Sequence, residues 1–184
     1  MRFLLVLPLL LLAACGASDA RYLIDNAPAP EPRRLVVGSI ELRDVSLPAY
    51  AEASEILVES PDGALREIDG AIWADTPQRA MTLALADHMA RAGNARVAAE
   101  PWPLETPADV RAEVRITRMV ARADGTFALT GSYALTSYES VIRDRIERFE
   151  ITIPLAGTAP GDIAAATGEA IRKLSEDILS RLAR

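Results

Sequence analysis

Two runs of alternating apolar and polar residues in the second half of the chain constrain the fold most strongly. The even-numbered residues of 110–117 are apolar and the odd-numbered ones are polar, whereas in 127–136 the larger apolar residues fall on odd positions. Such alternation is typical of strands with one buried and one solvent-exposed face. Asp124-Gly125 is a tight-turn signal between them. A third strand over 149–155, ended by Pro154, completes a predicted antiparallel meander.

Two segments have the periodicity of amphipathic helices. Thr76 and Pro77 suit a helix start, with the Thr76 hydroxyl as a capping group, and Gly93 suits its end after Ala92. The second helix is predicted from Pro160 to Arg184. The apolar stripe of the first helix comprises Met81, Leu85, Met89 and Ala92, and that of the second Ile163, Thr167, Ile171, Leu174, Ile178 and Leu182.

The first half of the chain adds shorter strands. We expect a β-rich run over 35–42 to begin the core, a hairpin between 55–60 and 65–68, and a short strand over 97–99. The fold class is therefore α/β, with α+β character: a single compact domain in which a mixed sheet with a C-terminal antiparallel meander is covered by two long helices. Helices on one face of the sheet satisfy all the apolar stripes, and helices on both faces are the alternative.

The amino terminus has the pattern of a lipoprotein signal. Residues 1–14 place Arg2 before about ten apolar residues, too few to span a bilayer of roughly 30 Å. Leu12-Ala13-Ala14-Cys15 matches a lipobox, which predicts cleavage before Cys15 and lipidation of its thiol and amine. A plain cleaved signal and an uncleaved anchor are the alternatives. Because Gly16 rather than Asp follows Cys15, the sorting rule for Gram-negative lipoproteins favours the periplasmic face of the outer membrane over the inner membrane.

These observations divide the chain into three parts. Residues 1–14 are the predicted signal peptide. Residues 15–33 carry the lipidated Cys15, a brief strand-like cluster at 22–25 and a proline-rich segment that serves as a tether or as a spacer between two edge contacts. Residues 34–184 form the predicted periplasmic domain.

Composition excludes several classes of function. The chain has a formal net charge of −6, which disfavours broad binding to nucleic acid. It contains one Cys and one His, so we expect no metal site, no cofactor and no catalytic triad, and we expect that the protein is not an enzyme. His88 is predicted to have a structural or surface role, and the charge run 143–148 to be a solvated loop or strand face. Aromatic residues are scarce, and Leu47, Pro48, Tyr50 and Trp73 are therefore predicted to frame a partner surface or to support its core.

The order of several motifs resembles the ABC-type transport auxiliary lipoproteins of the PqiC/YmbA type. A lipobox cysteine precedes the cluster 22–25, a proline-rich spacer, Val36-Val37-Gly38, the turn 47–50, and Ile72-Trp73-Ala74 before a helix. The family usually has Leu-Asp-Arg after the tyrosine turn and Glu-Pro-Leu after Trp-Ala. At these positions this chain has Ala51-Glu52-Ala53 and Asp75-Thr76-Pro77 instead. The similarity covers essentially the whole mature chain.

This resemblance implies an auxiliary docking subunit of an ABC/MCE-type intermembrane phospholipid transport system, with an MCE-domain protein as its partner. It also implies a fold similar to the amino-terminal domain of TolB. Docking on a ring-shaped partner is compatible with a homo-oligomer. The alternatives are a periplasmic lipid-binding carrier and a structural envelope lipoprotein unrelated to transport.

Overall fold

A computed structural model describes residues 19–24, 28 and 31–183. Over these residues the chain forms an eight-stranded mixed sheet and two long helices, and neither helix is long and apolar enough to cross a membrane. The strands are β1 (Ala20–Tyr22), β2 (Ser39–Leu42), β3 (Glu55–Glu59), β4 (Leu65–Trp73), β5 (Arg96–Ala99), β6 (Val110–Ala121), β7 (Thr126–Thr136) and β8 (Arg145–Pro154), and the helices are α1 (Pro77–Ala92) and α2 (Pro160–Ser180).

Strand β6 organises the sheet because it pairs along both edges. On one edge it forms the predicted antiparallel meander with β7 and then β8. On its other edge, β2 pairs in parallel with Val110–Ala112, and β3 pairs in parallel at Ala121. Strand β5 lies beyond β2, and β4 and then β1 lie beyond β3, so the sheet branches at β6.

The two helices contact each other and cover one face of the sheet. α2 packs on β7 and β8, where the Tyr133 hydroxyl donates a 2.7 Å hydrogen bond to Oδ2 of Asp177. The predicted mixed sheet under two helices is confirmed, with the helices on one face rather than on both. The predicted helix stripes are buried throughout, at Met81, Leu85, Met89, Ala92, Ile163, Thr167, Ile171, Leu174, Ile178 and Leu182.

The start of α1 and the end of α2 differ in detail from the sequence prediction. Thr76 is the N-cap residue of α1, but its hydroxyl makes no capping hydrogen bond; its N–H donates instead to Oδ1 of Asp75 at 2.8 Å. α2 ends at Ser180 rather than Arg184 because the chain then turns back to the start of the domain. The carbonyl of Leu182 accepts a 2.8 Å hydrogen bond from Val36 N–H, and Ala183 forms a β-bridge with Leu35; Arg184 itself lies outside the described residues.

Several strands differ in length from their predicted bounds: β4 continues to Trp73 rather than ending at Ile68, and β6 continues to Ala121 rather than ending at Thr117. Only Ser39–Leu42 of the predicted run 35–42 is a strand. Where β2 begins, the Asp109 carboxylate takes the place of a neighbouring strand: it accepts hydrogen bonds from the Gly38 N–H at 2.7 Å and the Ser39 N–H at 3.1 Å. β8 begins at Arg145, so part of the charge run 143–148 belongs to a strand. Residues 145–148 are exposed or partly exposed on this edge strand, in agreement with the strand face that was one of the two predictions for the run.

Candidate functional site

The predicted framework residues occupy a gap along one edge of β6. This edge pairs with β2 at one end and with β3 at the other, which leaves the middle of β6 without a strand partner on that side. The chain around Ser46 fills the gap. Ser46 N–H donates to the carbonyl of Val114 at 3.0 Å, and Ile116 N–H donates to the carbonyl of Ser46 at 2.8 Å. The edge of β6 is therefore closed by a single bridging residue just before the Leu47-Pro48 turn.

Leu47 and Pro48 fix how the chain leaves this bridge. Leu47 is buried, and Pro48 has an extended backbone that begins a 3-10 helix over Ala49–Ala51. The Pro48 carbonyl accepts the Ala51 N–H at 2.8 Å. Since proline has a fixed φ and no N–H, it suits the position that ends the bridge and starts the tight helix. The turn places the next aromatic side chain over β6.

Tyr50 supplies a hydrogen-bond acceptor to the backbone of β6. Its hydroxyl oxygen accepts the Met119 N–H at 3.0 Å, close to the irregularity in pairing between Ile116 and Arg118. A buried backbone amide without an acceptor is costly, so this tyrosine compensates for the point where regular pairing is interrupted. The contact joins residues separated by 69 positions in the chain.

Trp73 of β4 lies at the same cleft as Tyr50. It ends β4, is only 5% exposed, and pairs in parallel register with Tyr22 of β1. Tyr50 and Trp73 line one cleft together with Met119, Phe127 and Ile163. The cavity inside this cleft is about 20 Å³, which is room for roughly one water molecule. The cleft is thus a packed junction between sheet and helix rather than a ligand chamber.

The side chains that line this junction are mostly apolar and contribute by packing. Glu55 is the one carboxylate on its rim, and the other lining side chains are aromatic or aliphatic. Over the described residues, no group of three or more His, Cys, Asp or Glu side chains could hold a metal ion.

His88 lies inside the helix layer. It is 1% exposed on α1, and its Nδ1 lies 3.0 Å from Nη2 of Arg91. On α2 the guanidinium of Arg172 holds the pKa of the Glu169 carboxyl below its usual value, and His88 adds a smaller effect in the same direction. His88, Glu169 and Arg172 thus interact where α1 contacts α2, and we assign His88 a structural role.

Comparison with known proteins identifies the family. A family described as the ABC-type transport auxiliary lipoprotein component matches residues 22–179. The chain belongs to this family. As a family member it is a lipoprotein with an auxiliary role in a transport complex, which implies a membrane-anchored protein in the periplasm. No curated protein matches this auxiliary lipoprotein significantly.

Solved structures share its fold. Protein XCC0632 from Xanthomonas campestris is 18% identical, covers 88% of this chain and 93% of its own, and superposes with a TM-score of 0.68. The crystal structure of an uncharacterized protein is 12% identical, with coverage of 85% and 100% and a TM-score of 0.67. A PelC dodecamer from Paraburkholderia phytofirmans is 13% identical over 85% and 95% of the two chains, and its TM-score of 0.48 is too low to bear on assembly.

The structure brings the four predicted framework residues of this auxiliary lipoprotein to one region. Tyr50 and Trp73 line the same cleft, and Leu47 and Pro48 precede Tyr50 in the bridge. Whether they also contact a partner stays a prediction. Ser46 and Met119 were missed, because neither the bridge nor the amide that Tyr50 satisfies has a signal in local periodicity. Cys15 lies outside the described residues.

Proposed function

We propose that this protein is an outer-membrane-anchored periplasmic lipoprotein that serves as a docking subunit of an ABC/MCE-type intermembrane phospholipid transport system. Membership of the transport auxiliary lipoprotein family is the observation that carries the proposal. The partner would be an MCE-domain protein, and the role needs a stable surface rather than a catalytic group. A homo-oligomer is compatible with this role.

Anchoring is proposed to occur through Cys15 after removal of residues 1–14. The lipobox Leu12-Ala13-Ala14-Cys15 supports lipidation, and Gly16 supports sorting to the outer membrane. Three acyl chains would bind the membrane firmly, since each buried methylene contributes about 0.8 kcal/mol. We propose residues 34–184 as the periplasmic domain and residues 15–33 as the segment that carries the anchor, with β1 of this segment pairing in the sheet of the domain.

The position of β1 shortens the proposed tether. Ala20 already pairs with Ala71 in the sheet, so five residue steps separate Cys15 from the folded sheet, or at most about 18 Å of extended chain. The proline-rich segment follows β1 and leads to Arg33, which pairs with Gly93. We infer that it serves as a spacer between two points of the domain, which would then be held close to the membrane.

The cleft at the predicted framework residues is too small to hold a lipid. Ligand sites for molecules of drug size or larger occupy roughly 300–1,000 Å³, far more than the 20 Å³ beside Tyr50 and Trp73. Native mass spectrometry of the purified lipoprotein tests the carrier alternative directly. A stoichiometric phospholipid on the intact protein would favour the carrier.

Affinity isolation from cross-linked envelopes tests the proposed function. The tagged lipoprotein is expected to bring down an MCE-domain protein, and a Cys15→Ser variant should bring down much less because it is no longer anchored at the membrane that the proposed transport system reaches. Loss of the protein that alters outer-membrane permeability without any MCE association would instead favour a structural envelope lipoprotein.

A further inference from the structure

The face of the meander that points away from the helices carries an unusual set of charges. On β6 and β7 the side chains of Val114, Ile116 and Tyr133 are buried toward the helix layer. The alternate residues on these strands therefore face away from it, and we call this side the open face. A broad depression in the open face is lined by Thr117, Arg118, Arg122, Thr130, Gly131, Arg148, Phe149 and Glu150.

Strand register places the open-face side chains in two neighbouring rows. Ser132 of β7 pairs with Arg115 of β6 on one side and with Arg148 of β8 on the other. In the next row, Thr130 pairs with Arg118 and with Glu150. We call these six residues the open-face patch. Directly opposed positions on adjacent strands have Cβ atoms about 5 Å apart, so the arginines form one surface.

The guanidinium groups of the patch arginines are free to bind a carboxylate of another molecule. Arg115, Arg118 and Arg148 are exposed, and none of them has a side-chain hydrogen bond or ion pair to any residue that the structure describes. Some other arginines are paired within the domain, as Arg172 is with Glu169 and Glu176. Unpaired guanidinium groups in fixed register are preorganised for carboxylates, which they bind in bidentate geometry.

An apolar margin adjoins the charged rows. Ile146 of β8 pairs with Ala134 one row away from the patch and is 78% exposed. Tyr138, 73% exposed, lies in the connection between β7 and β8, with the Arg111 guanidinium 5.1 Å from its ring centre. Exposed aromatic and branched side chains beside arginines are typical of protein interfaces.

We propose that the open-face patch docks an acidic segment of the protein partner in the transport complex. The proposal rests on the docking function proposed above and adds the surface and the chemistry of its ligand. Carboxylates of the partner would pair with Arg115, Arg118 and Arg148, and apolar side chains would pack on Ile146.

The distribution of charge favours a protein over a membrane as the occupant. Glu113 and Glu150 lie among the arginines on the same face. An anionic bilayer is attracted by clusters of basic residues, whereas acidic residues interrupt the arginines here. Alternating charges instead fix the register of a complementary polypeptide.

The test compares two variants with equal changes in net charge in the full lipidated protein. R118E/R148E alters the patch, and R34E/R96E alters two exposed arginines outside it. The probe is a short synthetic peptide of alternating glutamate and alanine, with a lysine-alanine peptide as its control. We expect shifts in backbone amide resonances confined to β6–β8, and at least about tenfold weaker binding for R118E/R148E than for R34E/R96E. If R118E/R148E fails to fold, R118Q/R148Q should still weaken binding, by a smaller factor.

Several results would overturn the assignment of the patch. These are absence of peptide binding, equal weakening by both variants, or shifts that map elsewhere. Binding to phosphatidylglycerol vesicles that only R118E/R148E abolishes would assign the face to the membrane, and an oligomer that only this variant dissociates would assign it to a second copy. Binding of the purified MCE-domain partner is measured in parallel. Its absence would count against the docking function, whereas undiminished MCE binding by R118E/R148E would overturn only the patch.

Discussion

At the scale of single residues, the fold depends on polar contacts that bridge distant parts of the chain. Tyr50 reaches β6 across 69 positions, and Asp109 reaches the start of β2 across 70 and 71. Such contacts compensate for backbone amides that regular strand pairing leaves without an acceptor. They explain the presence of Tyr50 and Asp109, neither of which the local periodicity of the sequence predicts.

Tyr50→Phe tests the first of these contacts. The substitution leaves the ring in place but removes the acceptor of the Met119 N–H, so we expect the free energy of unfolding to fall by about 1–2 kcal/mol. Urea denaturation followed by circular dichroism measures the change. Tyr138→Phe is the matched control, because its hydroxyl is exposed and bonds only at the surface. Equal stability of the Tyr50→Phe variant and the wild type would refute this role.

Tyr133 makes stability sensitive to alkaline pH. Burial raises the pKa of its phenol above the usual value of 10.0, and the hydrogen bond to Asp177 raises it further. The neutral phenol is thus favoured in the folded protein, while the unfolded chain ionises near pH 10. The stabilisation is complete below that pH and is lost as the pH rises above it. Urea titrations between neutral pH and pH 11 should show a steeper loss for the wild type than for Tyr133→Phe, and parallel curves would contradict this account.

At the scale of elements, the sequence predicted the regular parts of the fold and missed the junctions. The stripes of α1 and α2 and the alternation in β6 and β7 are local patterns, and the structure confirms the elements they indicate. The end of α2 and the bounds of β2 were wrong because Val36 and Asp109, distant in sequence, decide them. The bridge at Ser46 could not be predicted, since it depends on a gap between β2 and β3 that exists only in the assembled sheet.

Gly131 shows how closely β6 and β7 approach at the pairing irregularity. A Cβ atom added at Gly131 would lie 2.1 Å from the carbonyl oxygen of Arg115, which is backbone and cannot move aside easily. We therefore expect Gly131→Ala to lower the free energy of unfolding by about 1–3 kcal/mol. Gly161→Ala in the first turn of α2 is the control, because nothing lies within 4 Å of its added Cβ. A change of similar size at both positions in thermal unfolding would argue against close approach as the cause.

At the scale of the whole molecule, the proposed membrane attachment and the proposed partner recognition lie in different parts of the chain. The family is that of transport auxiliary lipoproteins, the described domain has a packed junction where its scarce aromatic residues meet, and the proposed docking surface lies on the opposite side of the sheet from the helices. Membrane attachment is left to the proposed lipid on Cys15. The sequence predicted this division through its lipobox and family motifs, but not the open-face patch, because its rows form only when β6, β7 and β8 align.

Sorting by the residue after the lipidated cysteine gives a prediction for the intact protein. Gly16→Asp should retain the lipoprotein in the inner membrane, whereas Gly16→Ser should leave it in the outer membrane. Density-gradient separation of the two membranes with immunodetection measures the distribution. Inner-membrane location of the wild-type protein would contradict the proposed anchoring site.

The proposed docking function is tested by binding of the purified mature lipoprotein to the periplasmic part of the proposed MCE-domain partner. Isothermal titration calorimetry in detergent is suited to the measurement. We expect a saturable complex with a dissociation constant in the micromolar range or tighter. A lipoprotein that folds correctly yet shows no binding at partner concentrations well above that range would contradict the claim that it docks an MCE-type transporter.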